Sequence, residues 1–136
     1  TISPEAAKEI GEHPHCAGLI VSNTIPFGWE GIPVKKWKQW FGSSHISPLR
    51  TRGIPVADGL SGKPLLLLVV MWVKNLRALG FAKHLNAGGG ILWPNDVSRL
   101  FSAGADSVSY GSGSFLRPFC SWFIIRRAYK LWKQKG

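Results

Sequence analysis

The sequence is poor in cysteine and in acidic residues, and both shortages exclude classes of protein. Only two cysteines occur, Cys16 and Cys120, and neither belongs to a CxxC or CxxH motif, so no metal site is expected. Seven acidic residues stand against seventeen lysines and arginines, which gives a formal net charge of +10. This excess of positive charge favours anionic ligands such as phosphate groups, nucleic acid or acidic lipid.

Long apolar runs are also missing. The longest, Leu65 to Val73, has about nine residues, whereas a membrane span needs about twenty. The chain opens with Thr1, Pro4 and Glu5 instead of a basic region followed by an apolar run, so no signal peptide is predicted. We therefore expect a cytoplasmic or membrane-peripheral protein without a transmembrane span.

What is present is enough apolar material for a core, arranged in alternating helical and strand patterns. Hydrophobic residues make up 45% of the 136 residues. The segment 23–63 shows no period and is too long for an ordinary connection, which indicates a functional loop or an insertion with small elements of its own. Elsewhere we predict strands over 17–22, 81–86 and 107–110, and helices over 3–11, 64–79, 94–103 and 115–135.

Strict alternation of helices and strands predicts parallel strands joined by right-handed crossovers. A closed (β/α)8 barrel needs eight strands, and three are predicted here. The expected fold class is therefore α/β, with three parallel strands and flanking helices forming the C-terminal part of a TIM (β/α)8 barrel. We expect 1–136 to be one partial domain and an N-terminal barrel segment to be missing.

Two of the predicted helices have marked apolar faces. In the helix 64–79 the predicted apolar stripe consists of Leu65, Leu68, Trp72, Leu76 and Leu79. In the final helix, aromatic residues lie roughly opposite the cations, and packing of this aromatic face on neighbouring elements would explain it. The aromatic residues are Phe119, Trp122, Phe123, Tyr129 and Trp132, and the cations are Arg126, Arg127, Lys130 and Lys133.

Glycine clusters follow the last two predicted strands, and each cluster leads into a helix. They are Gly88-Gly89-Gly90 and Gly111-Ser112-Gly113. Glycine lets a ligand approach the main chain closely, and N–H groups beside a helix start bind anions. In (β/α)8 barrels a phosphate site often follows the last two strands, so the sequence predicts a phosphate site here.

Four segments resemble motifs of the dihydroorotate dehydrogenases, a family of FMN-dependent barrels, and they occur in that family's order. The resemblance covers most of 17–117 and is weaker in the Trp- and Lys-rich part of the long loop. The segments are similar to the end of the sixth strand, the loop before the sixth helix, and the seventh and eighth strands. They are Val21-Ser22-Asn23-Thr24, Gly59-Leu60-Ser61-Gly62-Lys63-Pro64-Leu65, Asn86-Ala87-Gly88-Gly89-Gly90-Ile91, and Ala103-Gly104-Ala105-Asp106-Ser107-Val108 with Gly111-Ser112.

The resemblance implies an FMN-dependent flavoprotein oxidoreductase that converts dihydroorotate to orotate in pyrimidine biosynthesis. Asn23 would hydrogen-bond the pyrimidine, and Thr24 would lie beside the pyrimidine and the flavin. The family's catalytic base and flavin-contacting lysines have no counterpart here, so no catalytic residue is assigned and this fragment alone is expected to be inactive. The FMN phosphate and ribityl chain would be held, chiefly by backbone N–H groups, at Gly62, Gly89, Gly90, Gly111 and Ser112.

Three other interpretations stay open. One is a pyrimidine-binding domain like that of dihydropyrimidine dehydrogenase, and another is a non-catalytic remnant that binds phosphate or flavin. The third is a basic protein of nucleic-acid or membrane surfaces, because Lys35 to Phe41 and the final helix interleave aromatics with cations. Nucleic acid is the less expected of these partners, and peripheral membrane contact is compatible with the composition.

Overall fold

The computed structural model describes residues 2–21, 24–54 and 59–135. The chain divides into two compact units, Thr1–Asn23 with Ser61–Gly136, and Thr24–Leu60. The elements in chain order are α1 (Pro4–Glu12), β1 (Gly18–Val21), β2 (Ile25–Pro26), α2 (Val34–Phe41), α3 (Pro48–Thr51), β3 (Gly59–Leu60), α4 (Lys63–Ala78), β4 (His84–Gly88), α5 (Pro94–Ala103), β5 (Ser107–Ser109), α6 (Ser112–Leu116), a 3-10 turn (Pro118–Cys120) and α7 (Ser121–Lys133).

The larger unit is built on three parallel strands in the order β1-β4-β5. Gly18 lies opposite His84, and Asn86 lies opposite Ser107. Helix α4 precedes β4, and α5 joins β4 to β5, as parallel neighbours require. The predicted α/β class with adjacent parallel strands is confirmed, and both glycine clusters lie at the carboxyl ends of strands in one sheet.

Helices cover one face of this sheet. Helix α4 contacts β4, while α5 and α7 contact β5. Leu85 and Ala87 point to the covered face and are fully buried. The helices also pack on one another, α1 on α4, α4 on α5 and α5 on α7, so the core of the unit lies between the sheet and this helical layer.

The opposite face of the sheet is polar over β4 and β5. The amide of Asn86 donates to Ser107 Oγ at 2.7 Å, and the Ser109 hydroxyl donates to Asn86 Oδ1. His84 Nε2 lies 2.9 Å from the same Ser107 hydroxyl. On β1 the same face carries Ile20, which pairs in register with Asn86 and is 76% exposed.

The buried face of α4 differs from the predicted stripe. Leu68 and Trp72 are only partly buried and Leu79 is exposed. The predicted stripe was wrong because the run from Leu65 to Val73 places apolar residues on every side of the helix. The sequence of the run therefore does not show which side is buried. Contacts with α1, α5 and β4 decide which of them face inward. The buried residues are Leu65, Leu66, Val69, Val73 and Leu76.

The predicted final helix, 115–135, was wrong in two respects. It is longer than the helix in the structure, and its aromatic face was expected to pack on neighbouring elements. Pro118 has no N–H to donate, and Arg117 before it takes φ −144° and ψ 63°, so helix α6 ends and α7 begins only at Ser121. Helix α7 buries Ile124 against the unit, while its aromatic residues stay exposed. The aromatic residues are more than half exposed instead of buried against neighbouring elements, and Arg126 and Lys133 lie against the Trp122 and Tyr129 rings instead of opposite them.

Other boundaries follow the predictions closely. Helix α5 spans the predicted 94–103, and the N-cap of α1 is Ser3, whose hydroxyl accepts from the Ala6 N–H. Strand β4 runs to Gly88 instead of ending at Asn86, because Gly88 pairs with Ser109 and the chain turns only at Gly89.

The smaller unit confirms the expectation that the long loop has elements of its own. Strands β2 and β3 form an antiparallel pair, with Ile25 opposite Leu60. Trp37 of α2 is buried, and its indole N–H donates to the Trp29 carbonyl at 3.2 Å. The ring of Phe27 lies 4.7 Å from the Trp37 ring. The core of this small unit is therefore a cluster of aromatic side chains.

A polar cluster centred on Arg77 joins four segments at the amino end of the sheet. Its guanidinium donates to the carbonyls of Gly104 at 2.9 Å, Phe81 at 2.6 Å and Lys83 at 2.9 Å. It also pairs with Asp106 at 2.5 Å. The fork of the guanidinium therefore connects the end of α4, the start of β4, the end of α5 and the start of β5.

We expect Arg77→Ala to lower the free energy of unfolding by about 3 kcal/mol, because the change removes one ion-pair partner of a partly buried carboxylate and leaves three carbonyls without the guanidinium donor. Denaturant unfolding followed by circular dichroism measures this change. Arg99→Ala is the matched control, since Arg99 is exposed on α5, and it should change stability by less than about 0.5 kcal/mol. Equal effects of the two substitutions would contradict the role of the cluster.

Asp106 makes this cluster sensitive to acid. Partial burial raises the pKa of Asp106, but a hydrogen bond from Lys135, the Leu85 N–H and the charges of Arg77 and Lys135 outweigh it, and the pKa lies below its ordinary 3.8. The resulting stabilisation is present above pH 3.8 and is lost as the pH falls through the lower pKa of the folded protein. Acid unfolding of Asp106→Asn should lack this component, and an unchanged acid profile would argue against it.

Candidate phosphate-binding site

Three loop segments meet at the carboxyl end of the sheet. The hydroxyls of Ser61 and Ser112 lie 2.9 Å apart, which joins the loop before α4 to the start of α6. A Cβ atom on Gly90 would lie 2.6 Å from the Gly62 carbonyl oxygen, and one on Gly113 would lie 2.5 Å from the Ile91 carbonyl oxygen. The loops after β4 and β5 and the loop before α4 are therefore in mutual contact, and we call this place the glycine cradle.

The backbone of the cradle requires glycine at two adjacent positions. Gly89 and Gly90 have φ angles of 110° and 74°, in the region that L side chains rarely adopt. A Cβ on Gly90 would also lie 2.7 Å from the Leu66 backbone nitrogen, and one on Gly89 would lie 2.8 Å from Leu65 Cδ2. These two glycines let the turn after β4 lie directly on the first turn of α4.

Gly111 is in a different situation. Its φ is −125°, and a Cβ atom built on it would have no protein atom within 4 Å among the described residues. In the described part of the chain, no turn, loop or cap hydrogen bond uses the N–H of Gly90, Ser112 or Gly113 as donor. The cradle thus combines open space at Gly111 with main-chain N–H groups that have no turn, loop or cap acceptor among the described residues, as an anion site requires.

A buried carboxylate links two of the segments that form the cradle. Asp96 on the first turn of α5 is 2% exposed, and its Oδ2 accepts from the N–H groups of Leu92 and Trp93, each at 3.0 Å. Its other oxygen forms an ion pair with Lys63, the first residue of α4. Asp96 therefore ties the loop after β4 to the start of α4. Sequence reasoning missed it, although an acidic residue three positions into a helix is a known capping signal.

An aromatic and a cationic side chain, Trp93 and Arg117, are in contact next to the loops that form the cradle. The guanidinium of Arg117 lies 4.2 Å from the centre of the Trp93 ring, which is a close cation–π contact. Trp93 is the N-cap residue of α5, and Arg117 follows α6. The contact adds a second link between the loops after β4 and β5.

The other residues singled out from the sequence lie elsewhere or outside the described residues. Asn23 is outside the described residues, so its predicted contact with a pyrimidine stays a prediction. Thr24 is exposed in the smaller unit, beside Gly59. Cys16 precedes β1 at the amino end of the sheet, where its thiol donates to the Gly18 carbonyl at 3.3 Å.

The described residues contain neither a cluster of metal ligands nor a membrane-spanning helix. No group of three or more His, Cys, Asp or Glu side chains within 2–21, 24–54 and 59–135 is placed to hold a metal ion. Over the same residues, no helix combines the length and the hydropathy that crossing a bilayer requires.

Comparison with known proteins shows the fold. No model of a known protein family matches the chain, and no curated protein matches it either. The chain is similar to the structure of DHODH from Eimeria tenella in complex with ferulenol, with 20% identity, a TM-score of 0.65, and coverage of 99% of this chain and 34% of that chain. The ligand-free DHODH of the same organism gives 22% identity, a TM-score of 0.64, and coverage of 99% and 35%.

The chain therefore spans about a third of the length of the DHODH structures it matches. The predicted resemblance is confirmed at the level of fold, because the three strands with their helices match part of the (β/α)8 barrel of the DHODH structures.

Asp96→Asn should lower the free energy of unfolding by about 1–3 kcal/mol, because a neutral amide binds Lys63 and the two N–H groups less strongly than a carboxylate does. The matched control is Asn95→Ala at the neighbouring exposed position, for which we expect a change under about 0.5 kcal/mol. Thermal unfolding of the two variants gives the comparison. If Asp96→Asn were as stable as the unchanged chain, Asp96 would not support the cradle.

Proposed function

We propose that this chain supplies the phosphate-binding part of an FMN-dependent oxidoreductase of the dihydroorotate dehydrogenase type, which acts on dihydroorotate or a related pyrimidine. The observation that carries the proposal is the glycine cradle, where Gly62, Gly90 and Ser112 come together from three separate loops. The DHODH-like fold supports the same interpretation, since a phosphate site in such barrels often follows the last two strands.

The residues present fit a phosphate group. Backbone donors at Gly90 and Ser112 have no turn, loop or cap acceptor among the described residues. The carboxylate of Asp96 is occupied by Lys63 and by two N–H groups, so its charge is compensated inside the protein. Gly62, Gly89, Gly90, Gly111 and Ser112 would hold the phosphate and ribityl chain of FMN, chiefly through the main chain.

The flavin, when bound, would supply the hydride chemistry, and this chain would bind and orient it. We assign no catalytic base to the chain. Cys16 lies at the amino end of the sheet, away from the carboxyl end where the cradle is, and Cys120 lies just before α7. Asn23 and Thr24 stay the proposed contacts of the pyrimidine. We therefore expect flavin binding without turnover from this chain alone.

Flavin titration of the purified chain tests the proposal. FMN should quench or shift in fluorescence on binding, and riboflavin, which lacks the phosphate, should bind at least about tenfold more weakly, since each charge-assisted hydrogen bond contributes about 1.5–3 kcal/mol. Gly111→Val should weaken FMN binding by about tenfold to a hundredfold, because its side chain occupies the open space of the cradle without meeting the protein.

Lys133→Ala is the control for general charge, since Lys133 is exposed near the end of α7. It should leave the affinity for FMN nearly unchanged. Equal affinities of Gly111→Val and Lys133→Ala, or equal affinities for FMN and riboflavin, would remove the assignment of the cradle to the FMN phosphate.

A further inference from the structure

The carboxamide of Asn86 binds two hydroxyl groups of the neighbouring strand. Its Nδ2 donates to Ser107 Oγ at 2.7 Å, and its Oδ1 accepts from the Ser109 hydroxyl. Ser107 lies directly opposite Asn86 in the register of β4 and β5, and Ser109 lies two residues further along β5. The side chain of Asn86 therefore spans the whole of β5 on the face opposite the helices.

A carboxamide is an unusual side chain at this position of the fold. In the barrels that the chain matches, the face opposite the helices points to the barrel interior, where bulky branched apolar side chains dominate. Ile20, which pairs with Asn86 in register on β1, follows that rule. A polar side chain inside a fold is tolerated when its hydrogen bonds are made, and Asn86 makes them with two serines of β5. Its contacts therefore act on the strand that leads into the glycine cradle.

Two residues are anchored where β5 leads into the cradle. Ser109 is bound by Asn86 on one face of the sheet, and the hydroxyl of the next residue, Tyr110, lies 3.3 Å from Ser121 Oγ at the start of α7. The Tyr110 ring also lies against Gly113, where a Cβ atom would be 2.4 Å from Tyr110 Cε2. The cradle loop after β5 thus starts from a fixed position.

The bond between Asn86 and Ser109 acts close to the main-chain donors of the cradle. Gly111 and Ser112 follow Ser109 by two and three positions. In the described part of the chain, no turn, loop or cap bond uses the Ser112 N–H, so the direction of this group depends on the residues that precede it. A binding site needs its groups held to within about 0.5 Å by the contacts behind them. A shift of Ser109 would therefore move the donors out of place.

We propose that Asn86 is a positioning residue for the phosphate site, which sets the direction of the N–H groups after β5 through the Ser109 hydroxyl. This role rests on the function proposed above, because it concerns the phosphate of the same ligand. Ser107 provides the internal comparison. Asn86 binds it as well, but Ser107 is the first residue of β5, and His84 Nε2 also lies 2.9 Å from its hydroxyl.

Titration of the full chain with FMN and with riboflavin tests this role, because the ratio of the two affinities isolates the contribution of the phosphate. Asn86→Leu keeps the size and branching of the side chain and places it beside Ile20, so the sheet should be preserved. The change should reduce the preference for FMN over riboflavin at least about fivefold, since the donors to the phosphate lose their alignment. Ser109→Thr keeps the hydroxyl and should keep the preference.

A double-mutant cycle identifies the bond through which Asn86 acts. Ser109→Ala should reduce the preference as much as Asn86→Leu does, and the double variant should reduce it no further, because both changes remove the same hydrogen bond. Ser107→Ala is the matched control, since it removes the other bond of Asn86 and should leave the ratio within about twofold. Equal losses of FMN and riboflavin affinity in Asn86→Leu, or additive effects in the cycle, overturn the positioning role.

NMR spectra of the ligand-free chain separate this role from FMN binding. In Asn86→Leu and in Ser109→Ala, the amide signals of Gly111 and Ser112 should shift, whereas that of Gly104 at the amino end of the sheet should not. Unchanged Gly111 and Ser112 signals overturn the role of Asn86 whether or not FMN binds. Shifted signals in a chain that binds FMN and riboflavin equally support the placement of the loop by Asn86 and contradict the function proposed above.

Discussion

The contact between Arg77 and Asp106 is the one on which the larger unit depends. The loops at the carboxyl ends of β4 and β5 can meet only if the two strands start at fixed positions relative to each other. Arg77 fixes these starting positions by binding three carbonyls and one carboxylate. Asp106 also accepts the Leu85 N–H at 2.9 Å, so the same carboxylate sets the first residues of β4 and β5 side by side. The charged cluster is thus the amino-end counterpart of the glycine cradle at the carboxyl end.

At the carboxyl end, contact between loops depends on the absence of side chains. Gly90 lies against the Gly62 carbonyl and the Leu66 nitrogen at distances that exclude a Cβ atom. Helix α4 connects the two ends, since Lys63 at its start pairs with Asp96 and Arg77 in its last turn pairs with Asp106. A shift of α4 along its axis would break both ion pairs together, so the helix couples the geometry of the cradle to the stability of the opposite end.

Sequence patterns predicted much of this arrangement, and where they did not the reasons are physical. Helix α5 was predicted to the residue because Pro94 and Gly104 bound it, and the parallel strands followed from alternation. The buried face of α4 was missed because an all-apolar run has no period. The ion pair between Asp96 and Lys63 was missed because the two residues lie 33 positions apart, a distance over which local spacing carries no information. The cradle glycines were predicted and do come together, but their ligand is a proposal, and Asn23 lies outside the described residues.

The electrostatic balance of the chain favours an anionic ligand at the proposed phosphate site. Seven acidic residues are available to seventeen cations, and Asp96 and Asp106 are committed to contacts inside the larger unit. The excess positive charge therefore has no internal partner and must be balanced by solvent ions or by an anionic ligand. The cradle presents uncharged main-chain N–H groups in a chain with this excess of positive charge, which suits a single phosphate group.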